Sequence, residues 1–286
     1  MQAAARQVKN AGMDVRGKSS DWPESIEDER QLEELLSRPT AEVVELFGRL
    51  KGDLAVIGGG GKIGPSLTRM ACRARQQAGT DQKIIVVDRF PDPSVRDALA
   101  KAGAKTITCD LLDPAAVRKL PAAENVIYMV GLKFGTSEQP AMTWAANTLI
   151  PAYVAEHYRR SRLVAFSTGC VYDFVPAGSA GSAETDPLEP IGEYSNACVA
   201  RERILEFFSG KNETPMVQMR LNYSVEMRYG VLVDLALAVL DEQAVDVTMG
   251  HFNVIWQGDV NAAALRLLEH TSCPPLAINL TGPEKL

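Results

Sequence analysis

Between Gly58 and Gly64 the chain reads GGGGKIG: four consecutive glycines, a lysine, an isoleucine and a fifth glycine. The apolar run Leu54-Ala55-Val56-Ile57 before it reads as a buried parallel strand, and from Lys62 onward the pattern reads as an amphipathic helix. A loop of this composition turns sharply and leaves backbone N–H groups free at a helix N-terminus, where a pyrophosphate binds. Two spacings fit. Gly59, Gly61 and Gly64 make GxGxxG, whereas Gly58, Gly61 and Gly64 make GxxGxxG, and the later residues favour the second. Gly60, Lys62 and Ile63 complete the expected dinucleotide seat.

Asp88 closes the next apolar run, 24 residues beyond Gly64. A carboxylate there accepts hydrogen bonds from adenosine ribose hydroxyls and repels a 2′-phosphate, which favours NAD over NADP. Arg89 pulls the other way, since a guanidinium can hold a 2′-phosphate or stack on adenine. Asp110 ends a third run and is placed to reach the adenine edge.

Strands and helices that would position these groups alternate from residue 54. Strands are expected at 83–88, 105–110, 125–131, 162–168 and 215–221, with helices over 93–103, 138–158 and 194–208. Further helices are expected at 230–240 and 259–270, and short strands near 245–248, 252–256 and 276–280. Strands spaced by helical segments imply right-handed βαβ crossovers, hence an α/β fold with a Rossmann-like doubly wound parallel sheet. Residues 1–24 read as a loose polar arm. A capping pair at Ser25 and Asp28 opens a helix through Leu32, Leu35 and Leu36, and a second follows through Val43 and Phe47. Residues 1–50 thus form a helical N-terminal extension that covers a sheet face or mediates dimerisation. Residues 51–286 form the nucleotide-binding domain.

Composition narrows the partners. The 286 residues carry a net charge of −6, which argues against a general nucleic-acid binder. No apolar run approaches about 18 residues, so a membrane span is not expected, and the N-terminus lacks the apolar core of a signal peptide. Cys72, Cys109, Cys170, Cys198 and Cys273 show no CxxC spacing, and His157, His251 and His270 are widely separated. The pattern suits a reducing cytoplasm, without a disulfide framework or a metal site.

The ordered set of segments resembles the extended short-chain dehydrogenase/reductases, the NAD-dependent epimerase/dehydratase family of sugar and sugar-nucleotide enzymes. It comprises GGGGKIG, the Asp-ended second strand, CDLLD (109–113), NVIYMVG (125–131), Asn147 in a long helix, RLVAFSTGCVYD (162–173) and GEYSNACVARERILE (192–206). RLNYSVEMRYG (220–230) and IWQGDVNAAAL (255–265) are similar to the family's later segments, so the likeness spans about residues 53–284. It implies cofactor contacts from Leu111, Val130 and Gly131, and a small C-terminal substrate lobe formed mainly by about 172–192 and 222–256. Thr168 matches the family's Ser or Thr that hydrogen-bonds the reacting oxygen, and Tyr194, 26 residues later, matches its catalytic tyrosine, which also borders the cofactor. Tyr172 takes a structural place. Arg220 and Asn222 match strand residues before the sugar lobe; Arg228 and Tyr229 suit either substrate contact or packing. Trp256 and Asp259 anchor a helix start.

One residue departs from the pattern. The family writes YxxxK, and here the motif runs Tyr194-Ser195-Asn196-Ala197-Cys198. A free phenol has a pKa near 10, so about one in 10³ is ionised at neutral pH, and losing the lysine costs up to roughly that factor. Lys133 and Arg201 are the candidate replacement charges. Lys133 is preferred, because loops at strand C-terminal ends border such sites. Cys198 itself reads as a small apolar helix residue. The resemblance implies an NAD(P)-dependent oxidoreductase or epimerase acting on a sugar or sugar nucleotide, in a homodimer. The alternative is a catalytically degenerate NAD(P)-binding regulator or scaffold.

Overall fold

The computed structural model describes residues 22–133, 135–176 and 178–286. The arm expected over 1–24 therefore lies outside the described residues as far as residue 21. In chain order the elements are α1 (Glu29–Leu36), α2 (Ala41–Arg49), β1 (Leu54–Ile57), α3 (Gly64–Ala78), β2 (Ile84–Asp88), α4 (Pro93–Lys101) and β3 (Lys105–Thr108). There follow α5 (Pro114–Val117), β4 (Asn125–Tyr128), α6 (Pro140–His157), β5 (Arg162–Thr168), α7 (Gly192–Asn212) and β6 (Met216–Leu221). The chain ends through β7 (Ser224–Val225), α8 (Val231–Leu240), β8 (Ile255–Trp256), α9 (Gln257–Arg266) and β9 (Leu276–Leu280).

Seven strands pair in parallel in the order β3-β2-β1-β4-β5-β6-β9. Alternate residues of each strand enter opposite cores. Leu54 and Val56 of β1 join Phe47 of α2, Met70 of α3 and Leu265 of α9 on one face. Ala55 and Ile57 join Ile150 and Val154 of α6 and Leu205 of α7 on the other. Strand order reverses between β1 and β4, so the crevice outside their C-terminal ends is the ligand position of such a sheet.

The N-terminal helices cover a face of this sandwich. α2 packs on α3 and α9, and Leu36, Leu46 and Phe47 are fully buried. The first helix starts later than Ser25 suggests. Asp28 is its N-cap, accepting the Gln31 N–H at 2.7 Å, because its carboxylate rather than the Ser25 hydroxyl reaches the first turn. Two further expectations shift. Residues 245–248 form no strand, and the segment lies on the surface, with Val247 78% exposed and its side chains packed on no core. The strand near 252–256 shortens to β8, which pairs with β7 in a separate two-stranded sheet. Among the described residues no helix is long and apolar enough to cross a membrane.

Candidate active site

A cavity of about 740 Å³ opens at the C-terminal ends of β1, β4, β5 and β6. Gly58, Gly61, Gly131, Thr168, Tyr194 and Arg201 line it, so the structure brings the glycine loop and both expected catalytic residues to one place.

The loop glycines do different work. Gly58 adopts φ +85°, and a Cβ there would lie 2.7 Å from Val130 Cγ2. Gly59 packs on β2, where a Cβ would come within 2.5 Å of Val86 Cγ1, and Gly64 sits directly on the Gly59 backbone. Gly61 is the exception. Its missing Cβ would meet only Gly58 O, at 3.9 Å, so this glycine leaves an open approach to the backbone. Lys62 stands 4.5 Å above the Tyr229 ring, whose hydroxyl lies 2.9 Å from Lys62 O and 2.8 Å from Gln257 Oε1. Burial pushes that phenol up to about 12. Tyr229 thus ties the loop to the stretch after β7, a role the sequence left open between packing and ligand contact.

Asp88 ends β2 as expected. Its Oδ2 accepts the Gly60 N–H at 3.0 Å and its Oδ1 accepts the Phe90 N–H at 3.0 Å. Arg89 is exposed beside it. Asp110 is exposed and turns the chain by accepting the Leu112 N–H at 3.0 Å, while Leu111 is buried in the core beneath. These four residues flank the cavity at the β2 and β3 ends rather than lining it.

Thr168 terminates β5 and caps the 3₁₀ turn Gly169–Val171, accepting the Cys170 N–H at 3.2 Å. Tyr194, in the first turn of α7, lines the cavity with Thr168, and its hydroxyl lies near the side chains of Thr168 and Cys198. Burial drives the Tyr194 phenol well above its ordinary value, Cys198 adds to the rise, and the Arg201 charge opposes it. Tyr172 is structural, as expected: it receives a 2.5 Å hydrogen bond from Arg220 Nη1 and sits 2.8 Å from Asn279 Oδ1. Arg220 in turn forms a buried pair with Glu202, 2.8 Å apart.

Two expectations about charge are corrected. Cys198 is buried but is not simply apolar filler, since it contacts the Tyr194 hydroxyl and receives a 3.4 Å hydrogen bond from Arg201 Nη2. The cation in contact with it is Arg201, the second of the two candidate charges. Residues 194, 198 and 201 share one face of α7 at i, i+4 and i+7, and this brings the guanidinium back towards the tyrosine. Lys133 lines the same cavity. His251 is exposed and does not line it. Among the described residues no three His, Cys, Asp or Glu side chains gather as a metal site.

The sequence profile of the NAD dependent epimerase/dehydratase family matches residues 54–226, and the chain belongs to this family. Its fold is shared with several solved enzymes. The UDP-Glc/GlcNAc 4-epimerase of Campylobacter jejuni is 20% identical, with 82% of this chain and 80% of that chain aligned and a TM-score of 0.67. The Bordetella bronchiseptica enzyme WbmG, solved in complex with NAD, is 18% identical over 83% of this chain and 75% of its own, also with a TM-score of 0.67. The UDP-N-acetylglucosamine 4-epimerase of Methanobrevibacter ruminantium M1, solved with UDP-N-acetylmuramic acid, is 17% identical, covering 82% and 78% of the two chains with a TM-score of 0.68. No curated protein sequence matches the chain. NAD is the cofactor of the family, and the cradle here fits it: open backbone at Gly61, a carboxylate at Asp88 and a cavity continuing to Tyr194.

Proposed function

We propose that the protein is an NAD-dependent oxidoreductase or epimerase acting on a sugar nucleotide. One observation carries this: Tyr194 and Thr168 line together the cavity that the glycine loop borders. Gly58 to Gly64 and Asp88 would hold the dinucleotide, with Val130 and Gly131 beside it. NAD, when bound, supplies the acceptor and donor of hydride. The chain's own part is proton handling. Tyr194 takes the proton of a sugar hydroxyl as the carbon is oxidised and returns it on reduction, while Thr168 hydrogen-bonds the same oxygen. The substrate lobe is assigned to about 172–192 and 222–256, of which Tyr223, Tyr229 and Asp234 line the cavity. A homodimer through α6 and α7 fits their exposed Met142, Trp144, Leu149 and Phe207.

A second reading, NAD binding without turnover, is favoured by Cys198 standing in place of the lysine. Incubation with NAD and a panel of UDP-hexoses and UDP-N-acetylhexosamines distinguishes the two, with NADH followed by absorbance and epimers by proton NMR. Conversion of one member supports the enzyme. Stoichiometric NAD binding with no conversion of any member overturns it in favour of the second reading.

A further inference from the structure

Arg201 is 5% exposed and has no carboxylate within salt-bridge distance among the described residues, because its neighbour Glu202 is committed to Arg220. Its Nη1 donates to Val130 O at 3.1 Å and to Asn147 Oδ1 at 3.0 Å, and its Nη2 donates to Cys198 Sγ. All three acceptors are neutral, and Nε has no hydrogen-bond partner. A buried cation satisfied only by dipoles favours any nearby group that becomes an anion. The site has been cleared for it. A Cβ at Gly131 would lie 2.6 Å from Nη1, so only glycine leaves room for the guanidinium at the end of β4.

The ionisable groups around it come from each packed element. Tyr128 rises from β4, Cys170 lies in the turn after β5, and Tyr194, Cys198 and Glu202 come from α7 itself. Lys133 and Asp234 line the adjoining cavity. Tyr194 is the member of this set that also reaches Thr168 and the open cavity.

We propose that Arg201 is a positioning residue which, across Cys198, supplies the Tyr194 phenol with the positive charge that a lysine at 198 would provide. The inference rests on the acid–base role proposed for Tyr194. It differs from simple restoration of the motif, because the charge enters from one helical turn further along α7 and needs the glycine at 131. Cys198 then acts as the polar contact between cation and phenol, not as a nucleophile.

The test reads ionisation rather than turnover. Difluorotyrosine placed at 194, whose fluorines bring the phenol into an accessible pH range, is titrated by fluorine NMR in the full chain, with and without NAD. Arg201→Gln should raise the midpoint by about one pH unit or more, a tenfold loss of phenolate, whereas Arg201→Lys should hold it near the parent. Asn147→Asp keeps the guanidinium but sets a carboxylate against Nη1, and should raise the midpoint in the same direction. This arm decides the matter if Arg201→Gln does not fold. An unchanged midpoint in folded Arg201→Gln, or in Asn147→Asp, overturns the proposal. Failure of every sugar nucleotide to react, with the midpoint shifts intact, would instead refute the proposed activity and leave the charge assignment standing.

Discussion

The Asp88 carboxylate holds the glycine loop to the end of β2 through the Gly60 N–H, 3.0 Å from Oδ2. The proximity is reciprocal, since a Cβ at residue 60 would lie 2.8 Å from Asp88 Cγ. A residue read as a ribose ligand therefore also shapes the glycine loop. Asp88→Ala should weaken NAD binding by about tenfold or more, because a charged hydrogen bond contributes roughly 1.5–3 kcal/mol. Calorimetric titration checks this, and an unaltered dissociation constant would remove Asp88 from the cofactor site.

Gly58 and Gly61 separate folding from binding. Gly58→Ala meets both a positive φ and Val130, and should lower stability by about 1–3 kcal/mol in chemical denaturation. Gly61→Ala should melt like the parent, since its Cβ enters open space, yet lose most NAD affinity where the new methyl blocks the backbone. Equal melting loss in both variants would contradict this division.

Tyr194→Phe should retain NAD affinity and reduce turnover by about 10²- to 10⁴-fold. Because burial raises the Tyr194 phenol, its ionised fraction at neutral pH is small and grows about tenfold per pH unit. Sugar oxidation by the parent should accordingly climb with pH towards the alkaline limit of folding. A flat alkaline profile of kcat would show that another group carries the proton.

His157 provides a pH test of stability. Its folded pKa is depressed, first by burial, and its Nε2 is buried without a hydrogen-bond partner. The unfolded chain then binds the proton more readily, so this contribution is complete above the unfolded value near 6.5 and is lost as pH falls below it. Denaturation midpoints should drop between neutral pH and about pH 5, and His157→Gln should flatten that part of the profile. An equal slope in the variant would assign the acid sensitivity elsewhere.

Features written in contiguous residues were readable in advance. The apolar run before GGGGKIG is β1, RLVAFST is β5 throughout, and Tyr194 lies in the first turn of α7. What sequence did not yield depends on distant partners. Asp28 displaces Ser25 as a cap only when the first turn closes around its carboxylate. Residues 245–248 have a strand-like pattern but lie exposed, with no core for one face to bury. Arg201 reaches Cys198 because Gly131 and Asn147, from two other elements, leave and line its space. The one available signal was helical spacing, seven residues from Tyr194, and the preference for a loop lysine overrode it.

The 3.4 Å contact between Arg201 and Cys198 also constrains how this chain could change. A lysine introduced at 198 would set an ammonium beside a buried guanidinium that has no carboxylate within salt-bridge distance among the described residues. One cation would have to give up its proton or leave its seat. Introducing the YxxxK lysine therefore calls for a change at position 201 as well. Two residues one helical turn apart are thus coupled through a single contact, and a lysine at 198 is best tested together with a neutral residue at 201.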